Sequence, residues 1–129
     1  MPEAKSPTKK YTQLVSTAME LFSKYGIRRV SIEEICKTSS VSKVTFYKYF
    51  SNKEDLAFTL IEKMLHDGEE KYRTIMNEDI PFAEKIERFI AFKLDYGKTL
   101  SKEFYLDWIS YSPKVQQLIS GWSRRIQLE

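Results

Sequence analysis

The 129-residue sequence holds one cysteine, one histidine, four glycines and four prolines. Cys36, standing alone, can neither close an internal disulfide nor build a cysteine-rich metal site. It falls on the apolar side of a short helix and reads as a small core residue. His66, equally alone, leaves no Ser/His/Asp or Cys/His set, and no glycine-rich phosphate loop is present, so enzyme chemistry lacks its residues. With Asp67, Glu69 and Glu70 it forms a solvated helix face rather than a metal site, which would need a second His or Cys. The sequence therefore carries no catalytic, metal or cofactor expectation. Scarce glycine and proline exclude collagen-like, linker-like and turn-rich all-β chains. No apolar run approaches the roughly 18 residues of a membrane span. The opening MPEAKSPTKK lacks the apolar stretch of a signal peptide. Taken together, these absences favour a cytoplasmic protein.

What is present suffices for a packed core: 42% hydrophobic and 14% aromatic residues against 30% charged. The net charge of +3 hides an asymmetry. Residues 1–53 hold ten Lys/Arg and four Asp/Glu; residues 54–129 hold eleven and fourteen. A basic first part on a mildly acidic body points to a polyanion partner for the first part only.

Helical spacing runs through the chain, and no strand pattern or internal repeat interrupts it. After an arm over residues 1–8, Leu14, Ala18, Leu21, Phe22 and Tyr25 predict a helix that Gly26 stops. Ser31 to Glu34 is a capping box for a second, short helix. Ser42 caps a third, to about Tyr49. Ser51 to Glu54 is a further capping box, opening a long fourth helix to about Met76. A fifth follows from Phe82 to near Gly97, and Ser101 caps a sixth. Ser112 and Pro113 start a seventh, carrying Val115, Leu118, Ile119, Trp122 and Ile126, with no stop signal before Glu129. The expected class is all-α. The expected division is a flexible arm over 1–8, a helix-turn-helix domain over 9–53 and a helical, incomplete ligand-binding and dimerisation domain over 54–129.

Two short helices joined by a tight turn and preceded by a longer one make a helix-turn-helix, whose second short helix enters the DNA major groove. On the third helix, Ser42, Phe46, Tyr49 and Phe50 are expected to pack inward. Val44, Thr45, Tyr47 and Lys48, with Lys43 at the edge, are expected to form a small, basic, aromatic face without an acid. Lysines there can neutralise phosphates or reach guanine edges. Val44 and Thr45 can meet base edges, and Tyr47 can donate to a phosphate. Ser31 and Lys53 stand at the starts of the second and fourth helices, where first-turn amides attract anions. Arg28 and Arg29 lie just ahead and can add to the same field. A helical module that binds protein through the same motif is the alternative reading.

Residues 10–56 resemble the DNA-binding domain of the TetR family of bacterial transcription regulators. The resemblance rests on Ala18-Met-Glu-Leu-Phe22 with Gly26, Ser31-Ile-Glu-Glu-Ile35, Val41-Ser-Lys43, Thr45-Phe-Tyr47, Tyr49-Phe50 and Lys53-Glu-Asp-Leu56. It implies DNA contacts from Lys43, Val44, Thr45, Tyr47, Lys48, Tyr49 and Lys53. Two positions depart from the family pattern: Ser40 replaces the usual turn glycine, and Val44 the usual small residue of the recognition helix. The resemblance further implies a ligand-responsive regulator, a repressor that binds double-stranded palindromic operator DNA as a homodimer. It also implies a pocket for a small apolar or amphipathic effector, for which Phe89, Phe92, Tyr96, Phe104, Tyr105, Trp108 and Trp122 are candidates. The dimer bundle of the family comes from its last two helices, which would lie mostly beyond residue 129.

Overall fold

The structure, a computed structural model, describes residues 8–110 together with 113, 116, 117, 120, 121 and 124. Among these the elements are α1 (Lys9–Tyr25), α2 (Ile32–Ser39), α3 (Lys43–Tyr49), α4 (Lys53–Met76), α5 (Phe82–Gly97) and α6 (Lys102–Ser110), with no strand. The all-α expectation holds. The isolated described positions from 113 to 124 are helical. The rest of the expected seventh helix, including Trp122, lies outside the described residues, as do Tyr111 and residues 1–7 of the expected arm.

Local chemistry sets each boundary. Thr8 caps α1, its Oγ1 accepting from the Tyr11 amide at 3.1 Å. Gly26 ends it at φ 90°, a conformation that a side chain disfavours. Here the backbone also runs close to α6: a Cβ on Gly26 would lie 2.7 Å from an Asp107 carboxylate oxygen and 3.0 Å from Glu103 Cβ. The capping box of α2 forms as the sequence predicts, with Ser31 Oγ accepting from the Glu34 amide at 3.1 Å. The start of α4 differs from expectation by one residue. Asn52, not Ser51, is the cap; its side chain accepts from the Asp55 amide at 2.8 Å while the Ser51 amide donates to Asp55 at 3.0 Å. Asparagine caps as well as serine does, so the cap falls one residue on, where the helix begins.

The turn between α2 and α3 is built on Ser40, in the left-handed conformation at φ 59° and ψ 36°. The Val41 amide reaches back to the Cys36 carbonyl at 3.0 Å, and the Val41 side chain drops into the core. Ser42 then caps α3.

One core joins these pieces. Leu14, Ala18 and Phe22 of α1, Ile35 of α2, Val41, Phe46 and Phe50 pack with Leu56, Leu60 and Ile61 of α4 and with Phe104 of α6. Between α1 and α2, Ile27 and Val30 fill the same interior. The outlying part is α5, none of whose residues is buried. Its ring of Phe89 meets Tyr72 of α4 edge-on at 5.4 Å, while Phe82, Ile86, Ile90 and Leu94, spaced one turn apart, face outward.

Candidate nucleic-acid interface

The α2–turn–α3 unit projects α3 from the core through Phe46 and Phe50, both buried. Its outer side is then fixed by helix geometry. Val44 is 71% exposed and Tyr47 53%, and Lys43 and Lys48 are exposed beside them. The Tyr47 ring rests edge-on against Phe46 at 5.2 Å, which braces its base and leaves its outer end in solvent. Two cations, a branched apolar group and a phenol thus share one small convex face. That set can neutralise phosphates, touch a thymine methyl and donate a hydrogen bond to a phosphate oxygen.

Thr45 departs from this face. It is only 9% exposed, and its amide and hydroxyl both lie 3.1 Å from Ser42 Oγ. On the wheel it stands ~60° from both Ser42 and Lys48, which are exposed, so the angle alone does not bury it; the packing of α3 and the pairing with Ser42 Oγ do. The expected grouping of Thr45 with Val44 and Tyr47 is therefore corrected: this threonine helps to close the helix start.

The expectation of an acid-free face is corrected too. From α2, Glu33 reaches Lys43 Nζ at 2.7 Å, with both side chains more exposed than buried. The pairing holds the Glu33 carboxyl below its ordinary range and lifts the Lys43 ammonium above its own. Glu33 lies 10 positions from Lys43 along the chain, so only the folding of α2 against α3 brings it in.

The remaining predicted residues are engaged locally. Tyr49 shares a 2.6 Å hydrogen bond with Thr8 Oγ1 and stands edge-on to Tyr11, tying α3 to the start of α1. Ser31 Oγ is occupied by its capping box. Lys53 Nζ donates to the carbonyls of Arg28 and Val30 at 3.1 and 3.0 Å, pinning the α1–α2 loop from below. Partial burial pushes its ammonium below the usual lysine value, against the opposing pull of Asp107 and Glu34. Arg28 turns toward the body, where its amide donates to Asp107 at 2.9 Å and its guanidinium lies 3.6 Å from the same carboxylate. Sequence reasoning missed that link, because its partners are 79 positions apart.

The effector candidates scatter. A cleft of about 1450 Å³ lies between α1, α4 and the end of α5, over Val15, Met19, Leu60 and Met64, and of the seven candidates Tyr96 lines it. Burial raises the Tyr96 phenol above its ordinary value. A second, smaller cleft of about 750 Å³ is lined by Phe92 with Lys71, Arg88 and Lys98. Phe89, Phe104, Tyr105 and Trp108 line neither of these two. Phe104 is core, and Tyr105 and Trp108 stack on each other beside it. Trp122 lies outside the described residues. The Cys36 thiol is buried and raised by that burial, as a core residue should be.

Comparison with known proteins bears on this geometry. Residues 14–60 match the model of bacterial regulatory proteins of the tetR family. An HTH-type transcriptional regulator of Bacillus subtilis, YhgD, is 27% identical over 86 residues, covering 67% of this chain and 45% of that protein. The fatty acid metabolism regulator protein of the same organism is 28% identical over 82 residues, covering 64% and 42%. The chain thus spans under half the length of these two relatives. In fold it is similar to SCO4454, a TetR-family transcriptional regulator from Streptomyces coelicolor, with TM-score 0.74 and 19% identity over 92% of this chain and 62% of that one. It is likewise similar to the fatty acid degradation regulator FadR from Bacillus halodurans, with TM-score 0.71 and 24% identity over 92% and 64%. The helix-turn-helix described above is the segment on which family model, relatives and fold agree: over residues 14–60 the chain carries the pattern of the tetR family of bacterial regulatory proteins.

Proposed function

We propose that the chain is a DNA-binding transcription regulator that inserts α3 into the major groove of double-stranded DNA. The observation that carries this reading is the outward face of Lys43, Val44, Tyr47 and Lys48 on a helix braced from behind by buried Phe46 and Phe50. Lys48 and Tyr47 meet phosphates and Val44 a base edge, with Lys43 at the head of the helix. Ser31, Tyr49 and Lys53 act from the margin: their hydroxyls and ammonium are held by the protein, and they set the position of α3 more than they bind. For the protein-binding alternative α3 exposes Val44 and the rings of Tyr47 and Tyr49, but Lys43 and Lys48 interrupt them, which suits a polyanion better than an apolar partner surface.

As a homodimer, two such heads read a palindrome whose half-sites are about 34–36 Å apart, or a multiple of that. Repression is the output we assign, in the cytoplasm, with no cofactor. The effector is a small apolar or amphipathic molecule, a class in keeping with the fatty-acid names of two matched proteins. Among the described residues the cleft at Tyr96, between α1 and α4, has room for it, and a shift of α4 would carry its binding to the reading head.

The test is selection of duplexes from a random-sequence pool by the chain, followed by sequencing. Enrichment of one inverted repeat with that spacing supports the reading; enrichment of a single half-site keeps the DNA contact and removes the dimer. A pool that emerges unenriched overturns it.

A further inference from the structure

The Glu33–Lys43 pair is a puzzle for stability. Exposed ion pairs add about 0–1 kcal/mol at most. The start of α2 has no need of this acid either, since Glu34 already completes the capping box with Ser31. Yet the carboxylate stands 2.7 Å from a reading-helix ammonium, on the side of the protein assigned to a polyanion. Both groups are anchored on short helices that the core holds rigidly, Glu33 one residue into α2 and Lys43 at the first position of α3.

We propose that Glu33 is a specificity-determining residue of the DNA contact, acting by cancelling the charge of Lys43 toward phosphate while leaving its hydrogen-bonding capacity toward bases. A lysine free in solvent gains from any phosphate, whatever the sequence, by releasing a counterion. A lysine already neutralised by a carboxylate gains little, because the phosphate must displace Glu33 and then lie beside it. A guanine edge is different. Its O6 and N7 are neutral acceptors, so Lys43 can donate to them with Glu33 still in place. The pair therefore subtracts from binding to arbitrary DNA more than from binding to a fitting site, which is discrimination by penalising the wrong partner. This inference rests on the DNA-reading function proposed above.

The experiment measures binding of the chain to a random-sequence 30-base-pair duplex pool as a function of salt. Glu33→Gln, a change at an exposed position of a helix, should tighten this binding about three- to tenfold and steepen the log–log salt slope by about 0.9 per subunit, the value of one added phosphate contact. The duplex enriched by selection should gain less, so the ratio of specific to random affinity falls. The double variant Glu33→Gln with Lys43→Gln should keep the slope of the unmodified chain on random DNA, because the pair contributes no net charge there, whereas Lys48→Gln should make it shallower by about 0.9. Circular dichroism of each variant confirms that it is folded. An unaltered slope with Glu33→Gln, or a double-variant slope shallower by a full phosphate contact, overturns the proposal while the DNA-reading function stands. Absence of any salt-dependent binding by the unmodified chain overturns both.

Discussion

Tyr47 and Lys53 show how differently two residues of one expected contact set can be placed. The Tyr47 ring is supported at its base by Phe46 and open at its tip, so its hydroxyl can meet a phosphate without distorting α3. Its removal should act on every duplex alike. We expect Tyr47→Ala to weaken binding to selected and random DNA equally, by about 1–2 kcal/mol, without altering the salt slope, since no cation is lost. Unchanged affinity in a titration at moderate salt would remove Tyr47 from the contact. Lys53, by contrast, has two donors committed to the carbonyls of Arg28 and Val30. The sequence supports placing a lysine at the start of a helix beside the reading head. It does not say that this lysine holds together the loop before α2, because those carbonyls lie 23 and 25 positions away. Glu33 escaped notice for the same reason. Residues of one helix face can be read from spacing, whereas what a neighbouring helix brings to that face is decided by packing.

Caps and turns were the most legible elements. Ser31, Ser42 and Ser101, expected as caps, each accept from the amide three residues on, because a short hydroxyl side chain before an apolar stripe satisfies an otherwise orphan donor; Thr8 does the same without having been singled out, and at α4 the cap is Asn52 rather than Ser51. Ser31→Ala should accordingly cost about 1 kcal/mol, read as a lower thermal midpoint with the helical spectrum retained. An unchanged midpoint would show that Glu34 alone sustains the start of α2. Ser40 was equally readable as the turn, and it adopts the left-handed conformation that a family glycine would take with less strain. On α3 the wheel groups Thr45 with the outward face, whereas its pairing with the Ser42 cap takes it inward. For α5 the apolar period announced a helix, but period alone cannot tell which apolar residues will find partners. Phe89 meets Tyr72 on α4, while Phe82, Ile86, Ile90 and Leu94, on the same repeat, stand open. The aromatic candidates for a pocket scatter between clefts and core for this reason: helical spacing marks a residue as apolar-facing and leaves open whether it faces a cavity or a core.

At the scale of the molecule, the division we propose at residue 53 is one of function rather than of packing. Phe104, 2% exposed, enters the same interior as Leu14 and Phe22, although it lies far beyond the segment that matches the family model. The Ser101 amide donates to the Ser23 carbonyl at 2.8 Å, and Asp107 holds the Arg28 amide, so α6 is fastened to the end of α1 around Gly26. Phe104→Ala should therefore destabilise the reading head itself, by about 3–5 kcal/mol. Urea unfolding followed by signals from the head would register it; a loss confined to the body would separate the two units. This joint was invisible in the sequence, where Phe104 is one more aromatic on a helical stripe.

The close seating of α6 on Gly26 also constrains how such a protein could be rebuilt. A head of this kind cannot be treated as an interchangeable cartridge: whatever body is grafted behind it must supply its own aromatic plug beneath the first helix and a carboxylate for the corner that follows. Lineages that exchange helical bodies would have to carry that short stretch along with the head, or re-evolve it before the graft could fold.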